Sequence, residues 1–457
     1  MANTDNTLIS KYNVPGPRYT SYPTVPYWQD NDLKAGDWLS RLTKRYQDTN
    51  SKSGISLYIH LPFCESLCTF CGCNKRITIN HGVESPYIQT VLNEWDLYLE
   101  KLGEKPMLRE LHLGGGTPTF FSADNLRFLL ESIYKKCDLH PDFELSFEAH
   151  PNVTSYEQMQ VLYELGSRRI SLGVQDFDPA VQQIINRVQP YETVLKVTEG
   201  ARKIGYSSIN FDIIYGLPLQ KMSSIVDTIT KVKQLMPERI AFYSYAHVPW
   251  VSPGQRRYTE EDLPLGSEKR DLYEKGREML EAAGYIEIGM DHFSLPQDSL
   301  YKALKKGTLH RNFMGYTHQY TEVSIGLGVS SISDSWDAFA QNIKGFEEYT
   351  AMVNEIKEIP VFRGHLLNEE DLFIRKHILN LMCQLETSWG ESEDNHPLIL
   401  SAINHLTEMF EDGLVVLENR TLRVTESGRP FVRNACMAFD NRMWAKKPET
   451  QLFSQVI

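Results

Sequence analysis

The sequence feature that most constrains the fold is an alternation of apolar runs with amphipathic stretches between residues 55 and 246. Six runs have the length and apolar content of buried strands, and helical spacing fills the gaps. We predict strands at 55–60, 110–113, 144–148, 169–174, 208–214 and 240–246. Strands joined by helices pair in parallel, and polar residues gather at their carboxyl ends, where a β/α barrel places its chemistry. The alternation alone also fits a doubly wound sheet, so it predicts one of these two α/β architectures.

The chain divides into three predicted parts: 1–50, 51–350 and 351–457. In the first, residues 11–24 hold three prolines, a glycine and three tyrosines, which predicts an extended arm, and a helix begins near 37. We interpret the arm either as a packing strap or as a segment that closes over a large planar anionic ligand. The second part carries the alternation, with a helix that we expect Ser85 to cap ahead of Pro86.

Residues 351–457 differ in character. Helical stretches at 372–385 and 398–410 precede two apolar runs about a polar turn at 413–424. This pattern predicts a mainly α, winged-helix-like domain. The chain is acidic and shows no basic stripe, so we interpret the domain as a cap on the barrel mouth and not as a DNA reader.

Composition excludes several function classes. A formal net charge of −12 over 457 residues argues against non-specific binding of nucleic acid. No apolar run approaches the roughly 20 residues of a membrane span, and the N-terminus lacks the basic-then-apolar pattern of a signal peptide. We therefore expect a cytoplasmic protein without nucleic-acid or membrane partners.

Four cysteines, Cys64, Cys68, Cys71 and Cys73, follow the first predicted strand with the spacing C-x3-C-x2-C-x-C. A structural zinc site usually needs a second cysteine pair a dozen or more residues away, and an odd total of seven cysteines without a secretory signal disfavours disulfides. Three thiolates, from Cys64, Cys68 and Cys71, suit a 4Fe–4S cluster with one open iron. A zinc or redox loop remains the alternative. The other three cysteines, Cys137, Cys383 and Cys436, lie in apolar surroundings and are predicted to be core residues.

The C-x3-C-x2-C spacing after an early strand, with Phe70 beside the last cysteine, resembles the radical S-adenosylmethionine (SAM) superfamily. The resemblance implies a partial six-unit β/α barrel and SAM bound to the open iron of the cluster. It also implies that Gly115, Gly116 and Thr117 receive the methionyl amino group and that Phe70 flanks the cofactor. Further SAM contacts map onto Tyr58, Glu148, Gln175, Arg187, Asp212, Ala246 and Ile332.

Six further segments resemble the oxygen-independent coproporphyrinogen III oxidase family: 15–24, 71–75, 173–177, 215–218, 289–293 and 310–316. The resemblance implies oxidative decarboxylation of two propionates of coproporphyrinogen III, a second SAM near Phe70, Gln175, Arg187 and Asp212, and a catalytic role for Tyr58. It leaves Cys73 to tune or protect the cluster or to serve the substrate radical step. Met314 and His150 depart from the glutamine and aspartate expected at those positions.

Partners follow from the same resemblance. The four substrate carboxylates call for cationic partners, and the candidates are Arg18, Lys75, Arg76, Arg256, Arg257 and Arg311. We also expect a flavodoxin-like electron donor, an electron acceptor of unknown kind and a monomeric enzyme.

Three other functions compete with this interpretation. The first is a related haem-binding chaperone without oxidase activity, a branch that generally lacks both Cys73 and the Pro-Gly-Pro-Arg-Tyr arm. The others are a radical SAM oxidoreductase with another substrate and a zinc-binding interaction protein.

Overall fold

The computed structural model describes residues 6–30, 33–445, 453, 455 and 456. At its centre is an open sheet of 13 strands. Six of them are the parallel strands that the alternation predicts. The first five are longer than the predicted runs, and the sixth is one residue shorter than its predicted run. They are Ile55–Leu61, Met107–Gly115, Asp138–Ala149, Ser167–Gln175, Ser208–Tyr215 and Arg239–Ser244. A partial β/α barrel is thus the architecture, and Ala246 lies two residues beyond the last of these strands.

The sheet extends beyond the six predicted strands on both sides. Ser324–Leu327 is a seventh parallel strand beside the first one, with Gly326 opposite Tyr58. Antiparallel strands continue the sheet past each end. The two edge strands do not pair with each other, so the sheet is open within the described ranges. These additional strands are Gln29–Asp30, Ile332–Asp334, Ala338–Asn342 and Val361–Leu366 on one side, and Ile286–Gly289 and His292–Ser294 on the other.

Helices cover the outer face of the sheet and bury the main core against it. Their apolar faces include Trp38, Trp95 and Leu129, each fully buried. The helices are Ala35–Ser53, Glu84–Leu102, Ala123–Tyr134, Tyr156–Glu164, Pro179–Ile184, Tyr191–Ile204, Met222–Leu235, Gly266–Glu281, Ser299–Lys306 and Phe346–Ala351.

One predicted helix start is wrong. Ser85 does not cap its helix, because Glu84–Leu102 follows directly on a 3-10 turn, His81–Val83, whose own cap is the Asn80 side chain. Pro86 is tolerated in the first helical turn, where no backbone N–H is needed.

The C-terminal part has helices around a small three-stranded sheet, Glu386–Ser388, Val415–Glu418 and Thr421–Val424. The predicted hairpin is present, and the predicted helix at 398–410 is two helices. The helices of this part are Glu369–Gln384, Pro397–His405, Thr407–Glu411, Val432–Phe439 and Asn441–Ala445. The domain boundaries at 50 and 350 stay predictions.

The N-terminal segment packs between the barrel and the C-terminal part. It begins with a helix, Asn6–Tyr12, so the predicted extended conformation is wrong for its first two residues. Beyond that helix, Tyr19 and Tyr22 are buried in the C-terminal core, and the Tyr19 hydroxyl donates to Asp440 at 3.0 Å. Among the described residues, no helix has the length and apolar character needed to span a membrane.

Candidate active site

The cysteine loop is framed by a short parallel pairing of Phe63–Cys64 with Arg76–Ile77. Hydrogen bonds to residues 185 and 186 tie the loop to its surroundings. The Thr69 amide donates to the Ile185 carbonyl at 3.0 Å, and the Asn186 side chain donates to the Leu67 carbonyl at 2.7 Å. The loop is therefore held at the carboxyl ends of the strands by hydrogen bonds to its own chain.

The side chains of Cys64, Cys68 and Cys71 line one cavity of about 570 Å³. The Cys64 sulfur lies 3.3 Å from the Thr117 hydroxyl, and Arg187 Nη1 donates to the Cys68 sulfur at 3.4 Å. Within the described ranges, no group of three His, Cys, Asp or Glu side chains is placed to hold a single metal ion. Three thiols around a cavity fit a larger cluster whose separate corners each take one thiolate.

Electrostatics at the loop favour a thiolate at Cys71. A hydrogen bond from the Cys73 thiol, with Lys75 and Arg187 nearby, lowers the pKa of Cys71 to about 6. The same hydrogen bond raises the pKa of Cys73. Burial raises the pKa of Cys64 to about 11. Since a cluster ligand must be deprotonated, binding of a cluster releases a proton at Cys64.

The Gly114–Gly116 turn needs glycine for steric reasons. Gly115 has φ of +121°, and a Cβ on Gly116 would lie 2.5 Å from the Pro62 carbonyl oxygen. The Gly115 amide donates to Glu148 at 3.3 Å. Gly115, Gly116, Thr117 and Glu148 all line the cysteine cavity.

A second cavity of about 340 Å³ shares Cys73, Gly115 and Glu148 with the first. Tyr58, Met314 and Ile332 line it. Ile332 reaches this place because its strand folds back onto the seventh parallel strand.

Two hydrogen bonds of His60 fix its tautomer and orient the Tyr58 hydroxyl. His60 Nε2 lies 2.9 Å from the Asn74 carbonyl, which can only accept, so this nitrogen carries the proton. Burial lowers the pKa of His60, which keeps the ring neutral. Nδ1 is then an acceptor, and the Tyr58 hydroxyl donates to it at 3.2 Å. Tyr58 is thus oriented toward the second cavity by a buried neutral imidazole.

Gln175, Arg187 and Asp212 also line the cysteine cavity. Arg187 Nη2 donates to the Gly173 carbonyl at 2.6 Å. Burial and the nearby charge of Glu148 raise the pKa of Asp212 to about 7. Gln175 has φ of +66°, an uncommon conformation for a residue with a side chain and one often found at functional sites.

Phe70 lines the cysteine cavity and Ala246 does not. The two are linked through Gln255, whose Nε2 donates to the carbonyls of Phe70 and Ala246 at 3.0 and 3.3 Å. The structure therefore brings together ten of the eleven predicted cofactor-binding residues around two adjoining cavities and places Ala246 behind the cysteine loop. Their individual roles stay predictions.

The six candidate carboxylate partners separate into three groups. Lys75 donates to the carbonyls of Cys71 and Cys73, and Arg76 pairs with Glu347. Arg256 and Arg257 are exposed at the end of the 3-10 helix Pro253–Arg257. Arg18 and Arg311 lie together beside the barrel mouth, where Arg311 Nη2 donates to the Arg18 carbonyl at 3.3 Å.

Sequence reasoning missed two site residues, His112 and Tyr243. His112 stacks on Tyr58 with ring centroids 6.0 Å apart, and its Nε2 is 3.6 Å from Glu148. Tyr243 lines the cysteine cavity. Strand alternation from Gly114 would have placed His112 on the inner face.

His150, the residue that departs from the expected aspartate, also lines the cysteine cavity, and burial together with the charge of Arg187 lowers its pKa to about 3. Met314 borders the second cavity instead of a polar side chain.

The three additional cysteines are buried, as predicted for core residues. Burial raises the pKa of Cys137 and Cys383 to about 12, so both stay as neutral thiols.

Comparison with known proteins agrees with this geometry. The family model of the radical SAM superfamily matches residues 58–232. The oxygen-independent coproporphyrinogen III oxidase of Pseudomonas aeruginosa is 38% identical, over 99% of this chain and 98% of that protein. The Escherichia coli protein of the same name is 36% identical, over 99% of this chain and 98% of its own length.

A solved structure gives the same result. Coproporphyrinogen III oxidase from Escherichia coli, described as a radical SAM enzyme, superposes with a TM-score of 0.89 at 34% identity, covering 96% of this chain and 99% of that one. Near-complete coverage at this identity includes the cysteine loop, the barrel, the arm and the C-terminal part together. The chain belongs to the oxygen-independent coproporphyrinogen III oxidase family of the radical SAM superfamily.

Proposed function

We propose that this chain converts two propionate side chains of coproporphyrinogen III to vinyl groups without molecular oxygen, giving protoporphyrinogen IX. The observation that carries the proposal is the cysteine cavity, because its three thiols and its glycine turn adjoin a second cavity that contains Tyr58. Similarity over almost the full length to proteins named for this activity supports the choice of substrate.

The chemistry suits a site that cannot rely on a side-chain base. The β C–H of a propionate is unactivated, so no carboxylate or imidazole removes its proton near neutral pH. A 4Fe–4S cluster held by Cys64, Cys68 and Cys71 would supply the electron that cleaves bound SAM to methionine and a carbon radical able to take a hydrogen atom. Transfer of a hydrogen atom from the β-carbon gives 5′-deoxyadenosine. Loss of CO2 and one electron from the substrate radical then leaves the vinyl group.

The residues of this chain bind and orient the reactants. Cys64, Cys68 and Cys71 hold the cluster, and Gly115, Gly116 and Thr117 receive the SAM amino group beside Glu148. Phe70, Gln175, Arg187 and Asp212 take part in holding SAM, including a second molecule, since two propionates require two radicals. Tyr58 lines the second cavity with its hydroxyl fixed by His60, and Cys73 lies where both cavities meet.

The electron balance implies two protein or small-molecule partners. One electron enters for each SAM cleaved, and a flavodoxin-like donor is suited to supply it. One electron leaves for each vinyl group formed, to an acceptor of unknown identity. We further propose that the enzyme acts as a cytoplasmic monomer.

An anaerobic assay tests the proposal. Reconstituted protein is incubated with reductant, SAM, coproporphyrinogen III and a cell extract as electron acceptor, and porphyrins and 5′-deoxyadenosine are separated by chromatography. Divinyl product together with 5′-deoxyadenosine is expected. The Cys137→Ser variant is the matched control for Cys64→Ser, because Cys137 is buried far along the chain from the loop.

Other outcomes distinguish the alternatives. 5′-Deoxyadenosine without divinyl product would keep the radical SAM chemistry and refute the substrate. Neither product, together with tight binding of haem, would instead identify a chaperone.

A further inference from the structure

Four cationic side chains gather at the end of the strand Arg239–Ser244, beside the cysteine cavity: Arg18, Lys269, Arg311 and Arg433. Arg18 Nη2 donates to the Ser244 carbonyl at 2.9 Å, and Lys269 Nζ donates to the next carbonyl, of Tyr245, at 2.9 Å. Arg433 Nη1 contacts the Pro17 carbonyl at 3.4 Å. The group therefore surrounds the backbone of the N-terminal arm.

The cluster has more positive charge than its surroundings neutralise. In the described part of the chain, Asp291 is the one carboxylate within 4.0 Å of these cations, and its distance from Arg18 Nη1 is a long 3.7 Å. Clustered cations of a partly buried site are costly without counterions. An excess of cations in a chain of net charge −12 therefore needs an explanation.

Arg311 provides a second, independent sign of a missing partner. Its side chain is 5% exposed and lies over the Tyr316 ring at 4.5 Å. Nη2 donates to the Arg18 carbonyl, whereas Nε and Nη1 are buried and find no acceptor among the described residues. Buried N–H donors without an acceptor are costly, so each of these two nitrogens calls for an acceptor oxygen beside Arg311.

The location relates the cluster to the reacting site. Tyr243, next to Ser244, lines the cysteine cavity. The Tyr243 ring contacts His292 with centroids 5.6 Å apart, and His292 contacts Tyr316, over which Arg311 lies. The cluster thus stands one layer of rings away from the cavity wall.

We propose that Arg18 and Lys269 bind a propionate carboxylate of the tetrapyrrole that is not the one reacting, and that Arg311 supports Arg18 without touching the ligand. This inference rests on the proposed function for the identity of the ligand. Arg18 makes the direct contact, because its side chain is 33% exposed and its ion pair is loose. Arg311 adds charge and positions Arg18 through the arm carbonyl. Arg433 is an arm anchor, since its nitrogens are taken up by the carbonyls of Gly16, Pro17, Gln455 and Val456.

Equilibrium binding of coproporphyrin III tests the proposal. This oxidised tetracarboxylate cannot undergo the reaction, and its uncharged tetraamide has the same ring. Wild-type protein is expected to bind the acid at least about tenfold more tightly than the amide, since the amide cannot form a charge-assisted hydrogen bond with a cation. Arg18→Gln and Lys269→Gln should each reduce that preference about tenfold, again from the value of one charge-assisted contact. Arg311→Gln should do the same, with Arg311→Lys restoring part of it.

Arg127→Gln is the matched control, because it removes the same charge from an exposed ion pair with Glu164 on the opposite, helical surface. Equal affinity of the wild type for acid and amide would overturn the proposal, and this measurement needs no variant to fold. An unchanged preference in folded Arg18→Gln and Lys269→Gln would also overturn it. Because binding is measured without turnover, an enzyme that lacks the proposed activity is distinguished from one that lacks the carboxylate site.

Discussion

Replacing Tyr349 with phenylalanine should destabilise the protein, and more so in alkaline than in acidic solution. The Tyr349 hydroxyl donates to Glu94 at 2.6 Å. Glu94 is fully buried and also accepts from the Gly328 amide at 2.7 Å and the Asn342 side chain at 2.6 Å. These hydrogen bonds join a barrel helix to the turn that follows the seventh parallel strand.

The magnitude follows from the protonation of Glu94. Burial raises its pKa from 4.5 to about 7. The folded state therefore binds the proton more tightly than the unfolded state, and the stability that this contributes is present below pH 4.5 and lost as pH rises through about 7. For this carboxyl the loss is about 3 kcal/mol. Above that pH the ionised Glu94 depends on its donors. Removing one of them should cost about 1.5–3 kcal/mol when Glu94 is charged and about 1 kcal/mol when it is neutral.

Urea unfolding at about pH 6 and about pH 8, followed by tryptophan fluorescence, measures the free energy of unfolding at both protonation states. Trp95, fully buried next to Glu94 on the same helix, contributes to the signal. Tyr156→Phe is the control, because Tyr156 is 49% exposed. Equal destabilisation of Tyr349→Phe at the two pH values, or none at either, would refute the assignment of Glu94 as the titrating group.

Three further predictions concern the site. Serine in place of Cys64, Cys68 or Cys71 should abolish the visible absorbance of the cluster and SAM cleavage together, whereas Cys137→Ser should keep both. A Cys68→Ser protein that still cleaves SAM would contradict the ligand assignment. The affinity for the SAM cation should fall as pH drops below about 7, where Asp212 takes up a proton, and calorimetric titration of Asp212→Asn should show weak binding without that pH dependence. Gly116→Ala should reduce cluster retention and destabilise the glycine turn by about 1–3 kcal/mol, because its Cβ would meet the Pro62 carbonyl oxygen at 2.5 Å. Gly36→Ala is the control, because Gly36 lies in the helix Ala35–Ser53 and a Cβ there has no neighbour within 4 Å. Iron content after gel filtration measures the difference.

The strand–helix alternation was sufficient to predict the six parallel strands, because each combines an apolar run with flanking turn residues. It predicts the strand starts at Ile55 and Ser208 correctly, but not the start of the third parallel strand. The strand Asp138–Ala149 starts with Asp138, Leu139 and His140, whose side chains show no apolar alternation. These residues extend the strand by pairing with the neighbouring one, with Asp138 opposite Met107. Such pairing depends on the partner strand and not on the local residue type.

The cofactor residues were predictable to different degrees for physical reasons. Cys64, Cys68 and Cys71 act through spacing within one loop, and Gly115–Thr117 follow a strand, so both carry local signals. His112 and Tyr243 have none, because an inward-facing aromatic residue on a strand also suits an ordinary core. The cation cluster beside the barrel mouth has the least local signal, since Arg18, Lys269, Arg311 and Arg433 are brought together from four separate parts of the chain.

Ile332 shows how distant packing completes a site of this kind. Its strand is antiparallel and belongs to no β/α unit, so the alternation does not locate it. It reaches the second cavity because Gly326 lies against its backbone, where a Cβ would meet the Ile332 carbonyl oxygen at 2.6 Å. Two side chains outside the barrel wall hold the turn between the two strands. Glu94 accepts from the Gly328 amide, and the Tyr87 hydroxyl accepts from the Val329 amide and donates to the His60 carbonyl. His60 in turn orients Tyr58. One buried network outside the barrel wall therefore supports residues on both sides of the second cavity, and loosening it at Tyr349 should weaken SAM binding as well as the fold.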